Sequence, residues 1–175
     1  MKTIKATGLL FLALLFLVAP AGAAELKIAY ANLQKALNEC EAGVKAKDTL
    51  KEEAKKLEDE LNAKQEELKK LRVEIDKKVW NKDTKDAKEA DFKTKTQEFQ
   101  KKYMEYGEQL NKKKQDTESD IIDELRGVVE EIAQKKGYTY VFERSVGGLL
   151  VAPASDDLTD EVIKVYNKEY RNGKK

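Results

Sequence analysis

Few residues in this chain can do covalent or acid–base chemistry. Its 175 residues include no histidine and one cysteine, Cys40. The missing histidine removes the commonest general base and metal ligand. A single thiol can form neither an intrachain disulfide nor a cysteine metal cluster. Carboxylates are plentiful, but they alternate with lysines in helical charge patterns rather than standing as a separate pair, and no glycine-rich stretch has phosphate-loop spacing. The sequence therefore predicts no catalytic residue, no cofactor-binding residue and no metal ligand, and it reads as a non-enzyme that needs no cofactor. Cys40 reads as a small buried apolar group on a helix. An intermolecular disulfide is the sharper alternative, with no second Cys or His to support it. Trp80, the only tryptophan, either caps a helical turn against Phe92 or Val79 or touches a partner or a membrane.

The elements that carry these residues begin after a leader. Residues 1–24 have Lys2 and Lys5, an apolar run from Gly8 to Val18, then Pro20 and small residues. That pattern predicts a secretory signal peptide cleaved after Ala23 or Ala24, and the run is short for a membrane span. No cysteine follows the small residues, so no lipid attachment site is read. Removing the leader takes away two lysines and no acid, leaving 32 basic against 33 acidic side chains. A near-neutral chain with interleaved signs lacks the basic surface that nucleic acid requires, and nucleic acid is not expected as a partner.

Charged residues make up 38% of the sequence, a composition typical of long or coiled helices. From Lys45 to Gly137 there is no proline, and Gly107 and Gly127 are the only internal glycines. Leu50, Leu57, Leu61, Leu68, Leu71, Ile75 and Val79 recur at helical steps, as do Phe92, Phe99, Tyr103, Tyr106, Leu110, Ile121 and Leu125. The polar stretch NKDTKD between them predicts a turn near residues 80–88. Folding the chain back there sets Val79 opposite Phe92, Leu68 opposite Tyr103, Leu61 opposite Leu110 and Leu50 opposite Ile121. The spacing from Leu110 to Ile121 is a stutter, and Gly107 predicts a bend. Leu50, Leu57, Leu61, Leu68, Phe99, Tyr103, Leu110 and Ile121 are the expected seam of an arm spanning residues 44–136.

Both ends of the mature chain read as strand and short helix. KIAYA at 27–31 precedes a helix with Leu33, Ala36 and Leu37. Tyr138–Glu143 alternates aromatic with β-branched types, SVGG turns, Leu149–Ala152 gives another strand, and Thr159 can cap a final helix. A hairpin returns its chain to its origin. Residues 25–43 and 137–175 therefore predict one small α+β body of about sixty residues, a size that often needs a second subunit to complete its core. Ile28, Tyr30, Tyr140, Val141, Phe142, Leu149 and Val151 are the expected interface residues on its strands. The fold class is mainly α with a small β part: a long antiparallel helical hairpin on a β-rich association body.

The signal peptide, KIAYANLQKAL at Lys27–Leu37, the hairpin, YTYVFE at Tyr138–Glu143 and DLTDEVIKVYN at Asp157–Asn167 together resemble the Skp/OmpH-like periplasmic chaperones. The resemblance spans essentially the whole chain. It implies a jellyfish-like homotrimer in which a β-rich body joins three coiled-coil arms around a cavity. It further implies an ATP-independent holdase of the periplasm that binds unfolded outer-membrane β-barrel proteins, with weak membrane contact at the arm tips. The tip departs from the basic character of many relatives: residues 76–91 carry five lysines and five acids. No lipid or lipopolysaccharide site is therefore carried over. The competing reading is an adaptor coiled coil that bridges folded envelope components at fixed stoichiometry. The strand-bearing ends favour the chaperone.

Overall fold

A computed structural model describes residues 26–173; the signal-peptide reading of residues 1–24 lies outside them. The elements are β1 (Ile28–Ala31), α1 (Leu33–Glu39), α2 (Glu41–Lys77), α3 (Lys82–Lys136), β2 (Tyr140–Glu143), a 3-10 turn at Ala154–Asp156 and α4 (Thr159–Arg171).

Each boundary has a local cause. Asn32 caps α1, its Oδ1 accepting from Lys35 N at 2.8 Å. Cys40 separates α1 from α2: its N–H donates to Ala36 O, and its Sγ accepts from Gly43 N at 3.3 Å. A Cβ on Gly43 would lie 1.8 Å from Leu37 O, so only glycine fits the corner. Gly137, at φ 70°, ends α3 in a Schellman turn, with Tyr138 N donating to Ala133 O at 3.0 Å.

The long helices run antiparallel. Tyr106 Oη donates to Glu60 Oε2 at 3.0 Å, Lys113 Nζ to Glu53, and Lys88 Nζ to Glu74 Oε1 at 3.4 Å. These contacts correct the register read from the seam, which set Glu60 opposite Asn111 and Lys113 opposite Glu58. The cause lies at the tip. Asn81 Oδ1 accepts from Thr84 N, so the NKDT stretch read as a turn is the start of α3. The turn comes earlier than predicted, and the returning helix is displaced by about one turn. Val79 falls in the connection and is fully exposed instead of facing Phe92.

The core lies at the base of this pair. Ala29 and Ala31 of β1, Leu33, Ala36 and Leu37 of α1, Ile121, Leu125, Val128 and Ile132 of α3, and Val162 and Tyr166 of α4 form one buried cluster. The final turns of α3 thus belong to this core, although their helical spacing alone places them in the arm.

β1 pairs with β2 in parallel, Ile28 opposite Tyr140 and Ala31 opposite Glu143. The other edge of β1 is bonded through Leu158 N to Tyr30 O at 2.8 Å. Beyond it, Thr159 Oγ1 accepts from Asn32 N at 2.9 Å and donates to Asp157, which also accepts from Thr159 N. Asp157, rather than Thr159, therefore ties down the start of α4. The expected strand at Leu149–Ala152 does not pair: among the described residues the sheet has two strands.

Thr159 is buried. Thr159→Val should cost about 1–3 kcal/mol, because Asn32 N loses its acceptor; a neutral effect in urea unfolding would contradict this linkage. A methyl group added at Gly107 would meet nothing within 4 Å. Gly107→Ala should stabilise by about 1 kcal/mol. Destabilisation would instead indicate a bend that needs glycine.

Candidate interaction surfaces

Three regions hold the residues singled out by sequence: the helix pair, its tip and the outer side of the sheet. Along the helix pair, Leu50, Leu57, Leu61, Leu68, Phe99 and Leu110 are half-buried, Tyr103 is exposed, and Ile121 is buried in the core at the base. Two helices alone cannot seal a seam, because each apolar stripe has only one neighbour to cover it. Between the helices is a gap of about 470 Å³ lined by Leu57, Leu61, Phe99, Tyr103, Tyr106 and Leu110.

At the tip, Trp80 turns back onto the last turn of α2. Its Nε1 donates to Glu74 O at 3.4 Å, and the ammonium groups of Lys78 and Lys88 lie 5.3 and 4.7 Å from its ring. The Glu74 carboxylate accepts from both lysines, which hold its pKa below the ordinary glutamate value. Trp80 therefore caps the arm, using these lysines rather than Phe92 or Val79.

The outer side of the sheet is apolar. Tyr140 and Phe142 project from the same face of β2 with rings 6.4 Å apart, and Ile28 is partly exposed. Val141 is half-buried and lines a groove of about 390 Å³ between β2 and α3. Tyr30 is covered within the chain, with the Arg144 guanidinium 5.3 Å from its ring. Leu149 is half-buried, whereas Val146, Leu150 and Val151 are 85%, 90% and 88% exposed. Val146 and Leu150 were not among the expected interface residues. Their signal was composition: Ser145–Ser155 holds no charged side chain in a chain that is 38% charged.

Sequence reasoning also missed Glu143. Its carboxylate accepts from Leu33 N at 3.1 Å, Ser145 Oγ at 2.7 Å and Val146 N at 2.7 Å. Burial opposes its charge, but these bonds outweigh burial and keep its pKa low. Cys40 is fully buried, and burial pushes its thiol pKa up, as suits an inert packing residue. Tyr166 donates to Glu124 Oε2 at 2.6 Å; burial, then this carboxylate, raises its pKa and keeps it a donor.

The pattern of the outer membrane protein (OmpH-like) family matches residues 27–166. The chain belongs to the OmpH-like family. No curated protein matches its sequence. The OmpH-like fold is seen in a crystal structure at 2.83 Å of a candidate outer membrane chaperone from Caulobacter crescentus CB15. That protein is 18% identical, with a TM-score of 0.77 over 89% of this chain and 92% of the other. At that identity the similarity is one of fold. Among the described residues of this OmpH-like chain, no acidic or cysteine cluster could hold a metal, and no helix is long and apolar enough to cross a membrane.

Because Glu143 has a lowered folded pKa, its stabilising contribution is complete above the ordinary glutamate range. It is lost as pH falls through the folded value. Glu143→Gln should lower stability at pH about 7, and its difference from the native chain should shrink toward pH about 3. Urea unfolding across pH checks this; a gap that stays constant would show that the Glu143 charge does not matter.

Proposed function

We propose that the protein is an ATP-independent periplasmic holdase, exported by a cleavable signal peptide, that binds unfolded outer-membrane β-barrel proteins and prevents their aggregation. Three copies join through their bodies as a homotrimer, and three coiled-coil arms surround a cavity that encloses the client. No catalytic step is involved.

The observation that carries this reading is the unsealed arm. Along α2 and α3, half-buried leucines and aromatics remain reachable within a wall of lysine and glutamate. An unfolded barrel strand alternates apolar with polar residues. Such a wall meets both types through many weak contacts, and no single contact traps the client. α2 has 37 residues, giving a wall about 55 Å long. Membership of the OmpH-like family and the apolar outer side of the sheet support the same reading. Any membrane contact at the tip would be weak, since Trp80 is already engaged within the chain and the local charges balance.

The test is light scattering after size exclusion of the mature protein, alone and with a urea-diluted outer-membrane β-barrel protein. The expected result is a trimer that takes up one client and keeps it soluble. A trimer that ignores unfolded clients but binds a folded envelope protein at fixed stoichiometry would replace the holdase with an adaptor.

A further inference from the structure

α2 ends without a glycine. Lys78 follows it in extended conformation, φ −102° and ψ 142°, so the left-handed turn that commonly satisfies the last carbonyls of a helix is missing. One of those carbonyls, Glu74 O, accepts twice instead: from Lys78 N and from Trp80 Nε1, each at 3.4 Å. Both bonds are long, so the indole needs a second hold.

The side chain of Glu74 provides it. Its Oε1 accepts from Lys78 Nζ and from Lys88 Nζ, each at 3.4 Å, and the same two ammonium groups lie 5.3 and 4.7 Å from the Trp80 ring. One residue thus holds Trp80 in two ways, directly through its carbonyl and, by way of two lysines, through its carboxylate. Lys88 belongs to α3, so the same carboxylate ties the returning helix to the end of α2. Two like charges gather on one oxygen only while that oxygen is negative; without it they repel each other.

We infer that this cluster is an electrostatic latch with two states: closed while the Glu74 carboxylate is charged, and open, with Trp80 released to solvent and α3 untied from the end of α2, once that charge is removed. The latch is a property of the single chain and depends on neither the holdase nor the trimer. The other charged groups around Glu74 leave it the sole carboxylate in this role. Lys69, Lys70, Lys77 and Lys78 line the same side of α2 and its end. The neighbouring acids have their own cations: Asp76 pairs with Arg72, Glu89 with Lys85 and Asp91 with Lys95. The lysines hold the Glu74 pKa low, so the closed state is complete above the ordinary glutamate range and is lost as pH falls through the lowered value. Lys78 is 61% exposed and Lys88 27%, so salt weakens the first contact more than the second. Opening adds the indole to Val79, which is already fully exposed, giving the far end of the arm an apolar surface that the closed latch conceals.

Trp80 is the only tryptophan, so selectively excited tryptophan emission from the full mature chain reports on the latch. Emission and acrylamide quenching are read at pH about 7 and pH about 3, with far-ultraviolet circular dichroism on the same samples. The native chain should show red-shifted emission and stronger quenching at the lower pH while keeping its helical signal. Glu74→Gln should show that shift already at pH about 7 and change little on acidification. Asp76→Asn, which removes the neighbouring carboxylate paired with Arg72, should behave as the native chain does. Native emission from Glu74→Gln at pH about 7 would overturn the latch, as would an equal shift in Asp76→Asn. A red shift of the native chain that comes only with loss of helical signal would show unfolding in place of local opening, and would overturn it too.

Discussion

Four residues, Ile28–Ala31, are hydrogen-bonded along both edges by segments that lie beyond the arm in sequence. On one side is β2; on the other is the stretch that leads into α4. This double pairing fixes the first and last parts of the described chain to each other, and the long helices leave from the point so fixed. Glu143 extends the connection to the first turn of α1, and Thr159 extends it to Asn32 and Asp157. These polar links are short and local. With Cys40 and Gly43 at the α1–α2 corner, they set the direction in which the arm departs.

Away from this base, the energetic character changes. The buried cluster of alanine, leucine, valine and tyrosine gives way to a seam with few fully buried side chains. The cross-helix pairs Glu53–Lys113 and Glu74–Lys88 are substantially exposed, and exposed ion pairs contribute about 0–1 kcal/mol each. They set register more than they hold the helices together. Ile75 is the buried exception, just inside the Trp80–Glu74–Lys88 clasp. The arm is thus secured at both ends and loosely packed between them.

Much of this was legible in the sequence. Helical spacing exposed both arm helices, and alternation of aromatic with β-branched types exposed β2, because periodicity reports directly on which face is covered. Register was not legible. Matching apolar residues across a stuttered seam admits several alignments, and the choice depends on whether Asn81 caps a helix or sits in a turn. Both roles favour asparagine. The strand at Leu149–Ala152 was read from composition, which records what a segment prefers without saying whether a pairing partner lies within reach; among the described residues none does. Glu143 was hidden for another reason: in a sequence so rich in acids, nothing marks the one carboxylate that gathers three backbone and hydroxyl donors.

The pairing of β1 with β2 also orders events in time. Lys27 and Thr139, which meet where that pairing begins, are separated by 112 positions. Contacts so distant in sequence form late and slowly, because a long loop must close before they contribute anything. A chain appearing from its amino end presents β1 first and must then deliver both long helices before β2 arrives. Helix formation needs only near neighbours, so the arm can take shape while β1 is still unmatched. The base that governs the finished molecule is then the last part to be made, and a chain interrupted anywhere before Tyr140 would display helices with no anchorage.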